Sequence, residues 1–127
     1  MARRRRAVRW DAVPRQDGRR FVVTGASGGL GLETARSLAA AGAHVVLAVR
    51  NLAKGEAAAG SMRGSVEVCR LDVADLSSVH EFAEAVGPVD VLVNNAGVLA
   101  VPYALTVDGF ETHLATNHLG HFALTNL

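Results

Sequence analysis

From Arg20 onward, short apolar runs alternate with longer stretches in which apolar residues recur every three or four positions. Phe21–Thr24, Val45–Val49, Val66–Leu71 and Val89–Val93 read as four strands. Leu30–Ala41 reads as a helix ended by Gly42 at the position after its cap. Leu52–Ala59 is an alanine-rich helix, Leu76–Val86 a third, and Asp108–Leu127 a last one. The strands at Val45–Val49 and Val89–Val93 are nearly continuous in β-branched residues, which predicts burial on both faces. Strand–helix alternation with short links predicts a doubly wound α/β parallel sheet of the Rossmann type, here of about four strands.

At 127 residues the chain suits one domain. Its charge divides it unevenly. Residues 1–20 carry eight arginines against Asp11 and Asp17, whereas the remainder holds five basic against ten acidic groups. The expected organisation is a basic, disordered leader over residues 1–19 and a dinucleotide-binding domain over 20–127. A mildly acidic folded part weighs against nucleic acid as a partner, although the Arg3–Arg6 run alone could bind a polyanion. No apolar stretch follows that run, so the expectation is a soluble cytoplasmic protein with no membrane partner. The lone Cys69 excludes a disulfide within the chain. His113, His118 and His121 lack a convincing third ligand, and no metal is expected.

The chemistry begins at Thr24-Gly25-Ala26-Ser27-Gly28-Gly29-Leu30-Gly31, between the first strand and the first helix. Gly25 permits a tight turn, Gly29 a close approach of backbone to a pyrophosphate, and Gly31 close helix–strand packing. Amides at the start of such a helix favour an anion. The second strand ends at Val49-Arg50-Asn51, where an NAD site would place an acidic residue for the ribose hydroxyls. A guanidinium suits a 2′-phosphate instead. The expected cofactor is therefore NADP(H), with NAD(H) as the alternative.

Together with Leu71-Asp72-Val73 and Asn94-Asn95-Ala96-Gly97, this turn resembles the short-chain dehydrogenase/reductase family, and Asp108–Phe122 is most similar to its retinol-dehydrogenase-like branch. The resemblance implies hydride transfer between a nicotinamide and the carbonyl or alcohol carbon of a small molecule. It implies that Asp72 bonds the adenine amine, that Val73 adds a backbone contact, and that Asn94 braces the central strands. Ala96 and Gly97 would line the cofactor ribose. Asn117 matches the asparagine of the family's catalytic tetrad, whose main chain holds a water in a proton relay. The tetrad's serine and Tyr-x-x-x-Lys have no counterpart: Val107 follows Tyr103 at the fourth position, and Lys54 lies elsewhere. The expectation is a cofactor-binding front portion, inactive alone, with homo-oligomers compatible with a full-length form. The alternative is a non-catalytic nucleotide-binding or interaction module on the same fold.

Overall fold

The computed structural model describes residues 12–127. The Arg3–Arg6 run lies outside the described residues. The framework reaches back past the expected boundary at residue 19, because the Gln16 N–H donates to Ala41 O at 2.9 Å and the His44 N–H to Arg19 O at 2.9 Å.

Strands β1 (Arg20–Thr24), β2 (His44–Val49), β3 (Ser65–Arg70) and β4 (Val91–Val93) form one parallel sheet in the order β3-β2-β1-β4. Helices α1 (Gly29–Ala40) and α2 (Leu52–Gly60) follow β1 and β2. Helix α3 (Leu76–Val86) carries the chain from β3 across to β4 on the far side of β1. The strand order thus reverses between β1 and β4, and a crevice opens beyond the carboxyl ends of the strands at such a point.

Alternation along the strands builds two cores. Phe21, Val23, Val45, Leu47 and Val49 pack with Ala35, Ala39 and Ala58 of α1 and α2. Val22, Val46 and Ala48 pack on the other face with Val79, Phe82 and Leu124. Strand β2 is therefore buried on both faces, as its composition predicts. Strand β4 is not: it starts at Val91, its three residues are half-buried, and Val89 is exposed. It pairs only with β1 among the described residues, so one side lacks the neighbour that encloses β2.

The last helical region also departs from expectation. Residues 108–111 form a turn rather than a helical start. Gly109 has φ +80°, the Gly109 N–H donates to Thr106 O, and Leu105 bridges to Glu111. Helix α4 (Thr112–Leu114) begins only after Glu111, whose carboxylate caps the Leu114 N–H at 3.0 Å. It runs through a π-helical turn (Ala115–Leu119) into α5 (Gly120–Asn126). There the Gly120 N–H reaches back five residues to Ala115 O.

Gly120 presses against the segment after β3, where any Cβ would collide with Val73 O. The end of β4 is tied down from the other side. The Asn95 side-chain amide donates to Thr24 O at 3.0 Å and to Gly25 O at 3.4 Å. Asn94, expected to brace the central strands, instead points outward and donates to Thr125 Oγ1 at 3.1 Å. Neighbouring residues beyond a strand face opposite ways, so only one of the two amides can meet β1.

These contacts carry two stability predictions. Gly120→Ala should destabilise the chain by about 1–3 kcal/mol through overpacking against Val73, read as a lowered denaturation midpoint with unchanged slope. Asn95→Leu should cost about 1–3 kcal/mol by stranding buried carbonyls, whereas Asn94→Ala should stay within about 1 kcal/mol because its bond is exposed. Equal losses from the two asparagines in urea unfolding would contradict the assignment.

Candidate functional site: a crevice at the ends of the strands

The bend after β1 depends on backbone that side chains would obstruct. Gly25 has φ +65°, and a Cβ there would lie 2.9 Å from the Ala96 Cα. Gly31 is buried, and a Cβ would strike the Asn95 amide and approach Gly25 O to 2.7 Å. Glycine at these two positions lets α1 and the Asn95–Gly97 segment close on one turn. Gly29, at φ +57°, faces open space.

The start of α1 differs electrically from the other helix starts. Asn51 Oδ1 accepts from the Lys54 N–H at 3.0 Å and caps α2. Asp75 Oδ1 accepts from the Ser77 N–H at 2.9 Å and caps α3. Hydrogen bonds from Ser77 and from the Ser77 and Ser78 backbone hold the Asp75 carboxyl below its ordinary range. Glu111, at the start of α4, is drawn down to about 2 by His113 and by the His113 and Leu114 amides. Helix α1, by contrast, starts at Gly28 with no side-chain cap and no acidic residue in its first turn. Its orphan N–H groups and dipole are left for an external anion.

A cavity of about 380 Å³ opens beside this turn. Of the residues singled out in the sequence, Thr24, Gly25, Ser27 and Gly28 line it from the first turn, and Arg50 and Asn51 from the end of β2. Asp72 and Val73 line it after β3, and Ala96 and Gly97 after β4. Gly29, Leu30 and Gly31, which continue from Gly28 into α1, are not in its lining, and the Leu30 side chain is exposed. Asn94 and Asn117 are outside its lining. Asp72 is not the cap of α3; its Oδ1 accepts from the Ala74 N–H at 2.9 Å, and its own N–H donates to Ser78 Oγ.

Asn117 sits within the π-helical turn, and both of its amide atoms are spent on one residue. Its Oδ1 accepts from the Val98 N–H at 2.8 Å and its Nδ2 donates to Val98 O at 2.9 Å. The side chain thus positions the segment following Gly97 and keeps neither amide atom for another partner. The three histidines disperse. His113 bonds Glu111, His118 lies against Phe122, and His121 meets Thr24. No group of three metal-ligating side chains occurs among the described residues.

Two contributors escape a sequence reading. Lys54 lines the cavity beside Arg50, one helical turn beyond the cap of α2. Its spacing from Arg50, four residues, is the only signal, and it carries meaning only once α2 is known to begin at Leu52. The other is Asn95, which lines the cavity and also closes the glycine turn.

The residues present suit a dinucleotide: an uncapped helix start for a diphosphate, cations for a further phosphate, and small residues where backbone must approach closely. The family model for short chain dehydrogenases matches residues 19–127. Retinol dehydrogenase 12 of Homo sapiens is 49% identical over 119 residues, covering 87% of this chain and 38% of the relative. A short-chain dehydrogenase/reductase of Penicillium roqueforti is 46% identical over 123 residues, covering 92% and 36% respectively. Among solved structures, a protein from Mycobacterium paratuberculosis matches with TM-score 0.87 at 63% identity, covering 89% of this chain and 42% of that one. A metagenomic short-chain oxidoreductase in complex with NADP matches with TM-score 0.71 at 32% identity, covering 87% and 54%. The chain spans about 38% of the retinol dehydrogenase it resembles. With its parallel sheet, glycine turn and crevice, the chain belongs to the short-chain dehydrogenase family.

Proposed function

We propose that this chain is the cofactor-binding portion of an NADP(H)-dependent oxidoreductase acting on a small alcohol or carbonyl compound. The observation that carries the reading is a crevice with an uncapped helix start on one wall and two cations, Arg50 just after β2 and Lys54 in the first turn of α2. The first-turn amides of α1 would take the diphosphate, with Ser27 and Gly28 alongside. Arg50 would fork onto the 2′-phosphate and Lys54 would add a second positive charge. No acidic residue stands at Val49-Arg50-Asn51 to favour a free ribose hydroxyl. Asp72 would receive the adenine amine, Val73 would add a backbone contact there, and Ala96 and Gly97 would lie against a ribose.

The bound dinucleotide supplies hydride transfer. The chain's own residues bind it, orient it and, at the main chain of Asn117, offer a place for a relay water. The 127 residues contain neither a Tyr-x-x-x-Lys nor an assigned serine to move the accompanying proton, so this polypeptide alone is inactive in the reading. The second reading is a non-catalytic nucleotide-binding or interaction module on the same fold. A coding sequence that continues past Leu127 into a serine strand and a Tyr-x-x-x-Lys helix would reject the second.

Fluorescence titration separates the cofactors. The chain should bind NADPH more tightly than NADH, and Arg50→Ala should weaken NADPH by about tenfold or more while leaving NADH nearly unchanged. Equal affinity for the two in the unmutated protein would remove the preference. Reduction of carbonyl compounds by the purified 127-residue chain would defeat the claim that it is inactive alone.

A further inference from the structure

The Thr24 hydroxyl is fully buried at the end of β1 and has four polar neighbours. The Asn95 N–H donates to Thr24 Oγ1 at 3.0 Å and the Ala96 N–H at 2.9 Å. Those two bonds occupy both lone pairs of the oxygen. One proton remains, and it can go to His121 Nε2 at 2.8 Å or to Val93 O at 3.4 Å. The nearer acceptor is the imidazole nitrogen. A hydroxyl already accepting twice cannot accept a third bond, so Nε2 must be bare and the ring must be neutral with its proton on Nδ1.

We propose that His121, through this bare Nε2, is a positioning residue of the crevice: it aims the Thr24 hydroxyl so that the oxygen holds the Asn95–Gly97 segment against the glycine turn. A proton arriving at Nε2 puts two donors face to face. Thr24 must then swing toward Val93 and give up an amide of Asn95 or Ala96, and the crevice wall loosens. His121 is 97 residues from Thr24 and stands just past the π-helical turn, so the latch joins the last helix to the first strand.

The surroundings favour the neutral ring. His121 is buried, and burial alone holds it below its ordinary value of 6.5. The ionisable groups on the packed elements are His80, Glu81 and Glu84 of α3 and His118 of the π turn, all exposed. Arg20 and Asp90 lie at the opposite ends of β1 and β4, and Asp72 is bonded to the Ala74 N–H. The sign follows from linkage: the latch is intact above about pH 6.5 and is lost as pH falls through the lower, folded-state value.

The cofactor arm of the test rests on the reading given under Proposed function; the spectroscopic arm does not. Nitrogen-resolved NMR of the imidazoles in the whole 127-residue chain at pH 7.5 should show His121 protonated on Nδ1 and bare on Nε2. A proton on Nε2 would overturn the proposal. NADPH affinity is then measured from pH 8 to pH 5 in the natural chain, His121→Gln and His121→Leu. The glutamine keeps an acceptor near Nε2 and cannot charge; the leucine offers none. His121→Leu should weaken binding by about tenfold, and His121→Gln should recover most of that loss. Below the His121 pKa the natural chain should lose affinity about tenfold per pH unit faster than His121→Gln. Titration of the ligand's own phosphate is common to both and cancels in the ratio. Parallel pH profiles for the natural chain and His121→Gln would overturn the proposal. If no variant binds NADPH at any pH, the cofactor reading fails and the NMR spectrum alone decides the latch.

Discussion

A single oxygen, Thr24 Oγ1, is the point on which the rest of the site depends. It sits where β1 ends, and there the chain must serve three elements at once: the glycine turn, the segment after β4 and α5. A hydroxyl is the smallest group that can accept from two backbone amides and still donate to a third partner. Valine would fill the same space and satisfy none of them, leaving two amides without partners in a dry interior. No buried side-chain nitrogen or oxygen among the described residues lacks a partner, so the network closes without a remainder.

Around that point, the architecture separates binding from support. Side chains cap α2, α3 and α4, so those helix starts are internally neutralised. Helix α1 is left bare where the crevice opens. The difference arises from one local choice, Gly28 in place of a residue with a side-chain acceptor, and Gly25 and Gly31 keep the neighbouring backbone close. Positive charge is supplied separately, from β2 and α2, where Arg50 is exposed and Lys54 rides on a helix that Asn51 secures.

Much of this was legible in the order of residues. The four strands, the helix at Leu76–Val86 and the glycine turn follow from local periodicity and from turn chemistry, which act over a few residues. What escaped depends on contacts between distant positions. The choice between Asn94 and Asn95 is set by which way each faces at the end of β4. The partnership of Thr24 with His121 requires the full fold. The late start of the last helical region reflects a turn at Asp108-Gly109 whose Asp108 carboxylate accepts from the Leu76 N–H, 32 residues away. Phe110 and Leu114, four positions apart within the expected helix, are both exposed.

The π-helical turn has a consequence of its own. A π turn holds one more residue than the α turn it replaces, and each residue of an α-helix rotates the next by about 100°. The wider turn absorbs that residue, because its five residues sweep about the angle that four cover in an α-helix. Deleting one position between Ala115 and Leu119 would let the helix relax to uniform pitch while Gly120 still faces Val73 and the imidazole still faces β1. What the inserted residue changes is the turn itself, where Asn117 pairs with both backbone groups of Val98.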